Sequence, residues 1–285
     1  MVAYSKWALE FSYLHGYPDS ALVYGKRDGE RQLPFYYCVL QSENQVILVD
    51  AGFSDNEYCR SMIELYDIRQ FTTPDKIMAR VGFSPEDVSA IIVTHHHFDH
   101  ISGVNYFPNA DVYIQRREVE NFTDKWTVSE RMNWLSYGLD PGTGFDLARL
   151  AVAGRLRTVD GVNEIFPGIT VRPAFDTHTA GSQYVVVEAN DGGKPWIFTG
   201  DVVNVYDNIG GLDGDGPLMP VGHGQGNQEC CIRVTDEILT IAGDVTSRVV
   251  PSHEVRIWDR WTTKEFEDSL HVAELDLAPG AASRI

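Results

Sequence analysis

The amino-acid sequence predicts an α/β domain, and three observations predict it. With 285 residues and 43% hydrophobic side chains, the chain can bury a large core. Short apolar runs of strand length occur beside longer stretches with helical spacing. Four of the strand-like runs end in a histidine or an aspartate, so reactive side chains recur at rigid strand termini, where a metal or catalytic site is well supported. No Ser/Gly linker, low-complexity tract or internal repeat interrupts the pattern, so residues 1–285 are expected to form one unit.

The elements follow in chain order. Residues 35–40 and 46–49 read as paired strands joined by a turn at Ser42-Glu43-Asn44. Ser84-Pro85-Glu86-Asp87 has the form of a helix start, with Ser84 as N-cap, Pro85 in the first helical position and acids in the first turn. Val88-Ser89-Ala90-Ile91-Ile92-Val93 is a buried strand. Residues 118–139, with Phe122, Trp126, Met132, Trp134 and Tyr137, are expected to be helical, and a core or dimer-interface role is preferred for these aromatics over substrate contact. The glycine-rich residues 210–226 form a loop near the site. Residues 227–242 form a helix ended by Gly243, with Cys230 and Cys231 as apolar positions and not ligands.

The strand at 88–93 runs into Thr94-His95-His96-His97-Phe98-Asp99-His100. In extended chain, side chains alternate, so His95 and His97 point to one side and His96 to the other, where it serves as a structural hydrogen-bonding residue. A turn into helix near Asp99 lets Asp99 and His100 face the same cavity, and Gly103 lets the backbone pass close by. An internal cluster with a carboxylate, following a strand, fits a metal site better than an adventitious His-rich tract does. Three further strand ends supply His178, Asp201 and His253. His15 and His271 carry no motif.

Net charge and cysteines restrict the function classes. The formal charge is −18, with a pI near 4.8 and no Lys/Arg-rich stripe, which argues against nucleic acid and favours a neutral small-molecule substrate. Residues 1–10 lack the apolar core of a secretory signal, and no segment reaches membrane-spanning length. Cys38, Cys59, Cys230 and Cys231 have no zinc-like or redox spacing, so free thiols in a cytoplasmic setting are expected.

On these residues the chain resembles the metallo-β-lactamase superfamily over residues 50–253. The HxHxDH run is followed in order by a later His, an Asp after Thr-Gly, and a last His. The resemblance implies an αββα sandwich, two mixed β-sheets flanked by helices. It implies that His95, His97 and His178 hold one metal, that Asp99, His100 and His253 hold a second, and that Asp201 bridges both. Asp50, in the family's Asp-x-Gly turn, would sit behind the site, with a plain acidic turn residue as the alternative. Imidazoles and carboxylates without thiolates suit two Zn2+ per chain, with Fe, Mn or Co as alternatives. The family's diiron branch carries Glu where His97 stands, which favours hydrolysis. A water shared by two metals about 3.5 to 4 Å apart becomes a hydroxide nucleophile at neutral pH, and Asp99 would pass its proton to the leaving alkoxide.

Within the superfamily the chain is most similar to the N-acyl homoserine lactonase group, through His178-Thr179-Ala180-Gly181-Ser182-Gln183, Thr199-Gly200-Asp201 and Tyr206-Asp207-Asn208. That group places a substrate-binding Tyr three residues after the bridging Asp; here the position holds Asn204, and Tyr206 lies two further on. Asn204 and Tyr206 are therefore both expected catalytic and substrate contacts, joined by His223 and Phe53 as further substrate contacts. Rival readings are hydrolysis of another ester, thioester, amide or activated ether, and a catalytically silent, metal-stabilised binding subunit. A glutathione thioesterase would carry a basic C-terminal patch, whereas residues 278–285 offer only Arg284. Pseudoenzymes usually lose ligands, and all seven are present.

Overall fold

Alternation and strand pairing account for the first sheet. In the computed structural model, which describes residues 2–212, 214–243 and 245–285, the chain opens with β1 (Ser5–Pro18), β2 (Glu30–Gln41), β3 (Val46–Val49), β4 (Val88–Ile92), β5 (Asp111–Gln115) and β6 (Leu156–Val159). It crosses to β7 (Asn163–Phe166), β8 (Ile169–Pro173), β9 (Gln183–Val187), β10 (Trp196–Phe198) and β11 (Val249–Val250), and returns as β12 (Thr262–Glu265) and β13 (His271–Asp276). One sheet has eight strands in the order β12-β13-β1-β2-β3-β4-β5-β6, the other five in the order β11-β10-β9-β8-β7. Both are mixed: β3 to β6 run parallel, as do β10 and β11, and the other pairs are antiparallel.

The layering follows from which side chains each face presents. Along β1, Trp7, Leu9, Phe11 and Tyr13 face the outer core, while Ala8, with Tyr4 just before the strand, faces the second sheet, the two-residue period of a strand buried on both sides. The inner core joins Ile47, Val49, Ala90 and Ile92 of the first sheet to Ile169, Val185, Val187 and Phe198 of the second. The outer face of the second sheet is covered by helix Gln228–Ala242, whose Ile238 and Ala242 pack on Tyr184, Ile197 and Val249. Its Asn227 side chain accepts from the Glu229 and Cys230 amides, and Gly243 ends it in the left-handed conformation, as the sequence predicts. This is the αββα sandwich. Among the described residues no helix is long and apolar enough to cross a membrane.

Two expected elements differ. The predicted helix start at Ser84 is a single 3-10 turn, Pro85–Asp87, because β4 begins at Val88 and its sheet pairing takes the chain first. The stretch 118–139 is not one helix. It divides into helix Arg116–Lys125 and a 3-10 segment Glu130–Ser136, broken where Thr127 Oγ1 turns back onto the Asp124 carbonyl at 2.8 Å.

Candidate metal centre

Five strand ends deliver the site to one rim, the arrangement typical of open α/β sheets. β3 leads to Asp50, β4 to His95, His97, Asp99 and His100, and β8 to His178. β10 leads to Asp201, and β11 to His253. The rims of the two sheets are pinned together where Gln183 donates from its amide to the Thr94 carbonyl at 2.9 Å and from Nε2 to the Val93 carbonyl at 2.7 Å. After His97 the chain turns into helix Phe98–Ile101, which swings Asp99 and His100 to the cavity side. Gly103 is required: a Cβ there would lie 2.1 Å from the Ala51 carbonyl oxygen.

The seven predicted side chains come together in two groups. Ligand atoms of His95, His97, His178 and Asp201 lie within 4.8 Å of one another, as do those of Asp99, His100 and His253. The carboxylate of Asp201 divides between them: Oδ2 is 3.3 Å from His178 Nε2, while Oδ1 is 3.2 Å from His100 Nε2 and 3.4 Å from His253 Nε2. His96 points away, with its amide and Nδ1 on Glu118.

Outer hydrogen bonds fix four of the five imidazoles. His178 Nδ1 donates to the His223 carbonyl at 2.8 Å, His253 Nδ1 to the Pro34 carbonyl at 3.0 Å, and His100 Nδ1 to Asp50 Oδ2 at 2.8 Å. Thr94 Oγ1 donates to Asp50 and accepts from His95 Nδ1 at 3.1 Å. With protons held on Nδ1, the inner Nε2 atoms carry lone pairs, which is how proteins orient metal-binding histidines. Asp50, with a positive φ of 62°, takes the role expected of it behind the site.

That arrangement calls for a cation. His97 Nδ1 lies 3.1 Å from His95 Nε2 and 2.8 Å from His178 Nε2, so three ring nitrogens face one another and one proton cannot satisfy them all. His97 Nε2, His100 Nε2 and Asp201 Oδ1 are buried without a hydrogen-bond partner among the described residues. The donor set therefore fits two divalent metals.

Electrostatics differ between the groups. Burial, aided by neighbouring imidazoles, lowers the pKa of His95, His97 and His178. Burial also opposes the charged forms of His100 and His253, but Asp99 and Asp201 override it in both, with Asp50 acting on His100, and raise them. Burial alone would raise Asp201; His253, His100 and His178 instead hold it well below the usual carboxylate range.

A cavity of about 400 Å³ opens over the cluster. Leu14, Leu22, Leu33, Phe35, Ile68 and Phe98 form an apolar wall, and His97, Asp99, His178, Asp201 and His253 lie at the metal end. Asn204 and His223 reach this cavity as expected. Tyr206 does not: its ring lies under Arg260 at 4.0 Å and its hydroxyl is directed at the Val249 carbonyl, 3.5 Å away, because the helix Asp207–Gly210 begins immediately after it and turns it outward. Phe53 is likewise a correction, being fully buried and stacked on Phe71 at 4.7 Å within the aromatic core. Trp134 and Tyr137, assigned to core or interface, line the cavity, where the 3-10 segment carries them. The loop at 210–226 contributes His223, Gly224 and Gln225; Asp213 within it lies outside the described residues.

Glu118 belongs to the site without any local pattern that marks it. Fully buried, it accepts from the His96 amide at 2.9 Å, Thr179 Oγ1 at 2.7 Å and the Gly181 amide at 2.7 Å, and so ties the two ligand loops together. An acid in the first turn of a helix ordinarily reads as compensation of the helix dipole.

Residues 35–253 match the family model for the metallo-beta-lactamase superfamily, and the chain belongs to that superfamily; it is a metal-dependent hydrolase. It is 28% identical over 186 residues to an N-acyl homoserine lactonase of Bacillus sp, covering 62% of this chain and 67% of the relative. An N-acyl homoserine lactonase of Bacillus cereus is 28% identical over 170 residues, 56% of this chain and 61% of its own length. The fold is shared with a crystal structure of an N-acyl homoserine lactone hydrolase that holds N-hexanoyl-L-homoserine at its catalytic metal center. Its TM-score is 0.65, with 20% identity over 90% of this chain and 95% of that one.

Proposed function

We propose that this chain is a dinuclear zinc hydrolase that opens the ring of an uncharged lactone, with N-acyl homoserine lactones as the leading class. The observation that carries the reading is the division of Asp201 between two ligand groups at the floor of a largely apolar cavity. In this reading His95, His97 and His178 hold one metal, Asp99, His100 and His253 the other, and Asp201 both. Two divalent ions so held would polarise the substrate carbonyl and bring the pKa of a shared water toward neutrality.

The chain's own residues supply the rest. Asp99, which lines the cavity, takes the proton of the attacking water and returns it to the leaving oxygen. The apolar wall binds an acyl or alkyl substituent and excludes water. The net charge of −18 disfavours strongly anionic substrates. Four free cysteines, three of them buried, fit a cytoplasmic setting.

The test is a panel on zinc-loaded protein: homoserine lactones of varied acyl length, an aromatic lactone, a thioester and a β-lactam. Turnover led by a lactone supports the reading. Turnover of another class alone rejects the lactonase and keeps the hydrolase. Metal binding without hydrolysis of any member points instead to a silent binding subunit.

A further inference from the structure

We propose that Tyr17, oriented by His223, donates the hydrogen bond that holds a carbonyl oxygen of the substrate in the cavity; this deepens the hydrolase reading of the same site and rests on it. The backbone is built to aim this residue. Leu14 and Tyr17 both line the cavity, yet residues three apart on a regular strand point to opposite faces. The β1–β2 ladder shifts register between Leu14 and Tyr17, and Gly16, with φ of 68°, supplies the left-handed step. A bulge of this kind redirects a side chain, and here it turns a phenol inward.

The partner is held as firmly. The His223 amide donates to the Ala21 carbonyl at 2.8 Å, and the His223 carbonyl accepts from His178 Nδ1 at 2.8 Å. Its ring Nδ1 lies 3.4 Å from the Tyr17 hydroxyl, with the two rings perpendicular. When the imidazole donates from Nδ1 to the phenol oxygen, the phenolic proton is free to point into the cavity. Burial first, and then Tyr66, Asp99 and Asp201, push the Tyr17 pKa up, so that proton stays in place at neutral pH. Asn204 has its Oδ1 turned to Ser252 Oγ at 3.2 Å, and Tyr206 is outside the cavity.

The oxygen is either the ring carbonyl or the amide carbonyl of an acylated lactone, and two substrates separate them. Wild-type and Tyr17→Phe proteins are assayed on N-hexanoyl-homoserine lactone and on a γ-alkyl-γ-butyrolactone of similar length without the amide. Loss of about tenfold in kcat/KM on both assigns the ring carbonyl, and loss on the first alone assigns the amide. Undiminished kcat/KM on both overturns the proposal. His223→Ala should lose less, and adding it to Tyr17→Phe should cost nothing further; effects that multiply would overturn the pairing. Calorimetric titration with the hydrolysis-resistant lactam analogue of N-hexanoyl-homoserine lactone is read independently of turnover. Tyr17→Phe should bind it about tenfold more weakly. If wild-type protein opens no lactone, the proposed function fails and this titration still decides Tyr17: equal behaviour of the two proteins, including no binding by either, overturns it.

Discussion

His95 and His178 are tied at their outer nitrogens to neutral oxygens, a threonine hydroxyl and a main-chain carbonyl, and together with His97 they form a group whose pKa values burial lowers. His100 is tied to the Asp50 carboxylate and, with His253, faces Asp99 and Asp201, which raise both imidazoles. The two groups share one loop and lie on either side of the Asp201 carboxylate but do not have one electrostatic character. The difference teaches that the two groups would hold a cation on different grounds: the neutral imidazole group by presenting lone pairs, the carboxylate-rich group by having its gathered charge neutralised.

Removing what the two groups share should have the largest effect. Asp201→Ala takes an oxygen from each, and kcat/KM on the best lactone should fall by more than the roughly 10- to 100-fold that outer hydrogen-bond partners carry, with both metals weakened in chelator competition. Retained full activity would refute the bridging role. Glu118→Ala leaves the His96 and Gly181 amides and the Thr179 hydroxyl without their buried acceptor, which should lower unfolding stability by about 2 to 4 kcal/mol in a urea titration. Asp50→Ala acts directly on one group: a metal held by Asp99, His100 and His253 should bind roughly 10- to 100-fold more weakly, while the His95 group, which Asp50 reaches only through Thr94, loses less. Equal loss of both metals would erase the distinction. Thr94→Val is the mildest, since the hydroxyl only relays between Asp50 and His95; a loss of about tenfold or less in metal affinity is expected at the His95 group.

Local pattern made the ligands legible. The alternation of His95, His96 and His97 on a strand end determines which two face inward, and the turn after His97 accounts for Asp99 and His100. Long-range partners were not legible. That His253 leans on the Pro34 carbonyl, 219 positions away, depends on how β2 meets the rim and leaves no mark near either residue. Tyr206 and Tyr17 show the same limit from both sides. Spacing from Asp201 points to Asn204 and residue type to Tyr206, but the helix that follows turns Tyr206 out, whereas a one-residue register shift in β1 turns Tyr17 in. The stretch 118–139 failed as one helix: the chain tightens after Lys125, where the Thr127 amide and hydroxyl both turn back onto the Asp124 carbonyl, and Trp134 and Tyr137 beyond the break line the cavity.

Elemental analysis of the full chain reconstituted with zinc, run beside lactone turnover, tests the two-group centre most directly. About two zinc ions per chain are expected in the wild-type protein and about one in Asp50→Ala at limiting zinc, with turnover falling in step. A wild-type protein that opens lactones at full rate with one zinc per chain would contradict the paired centre.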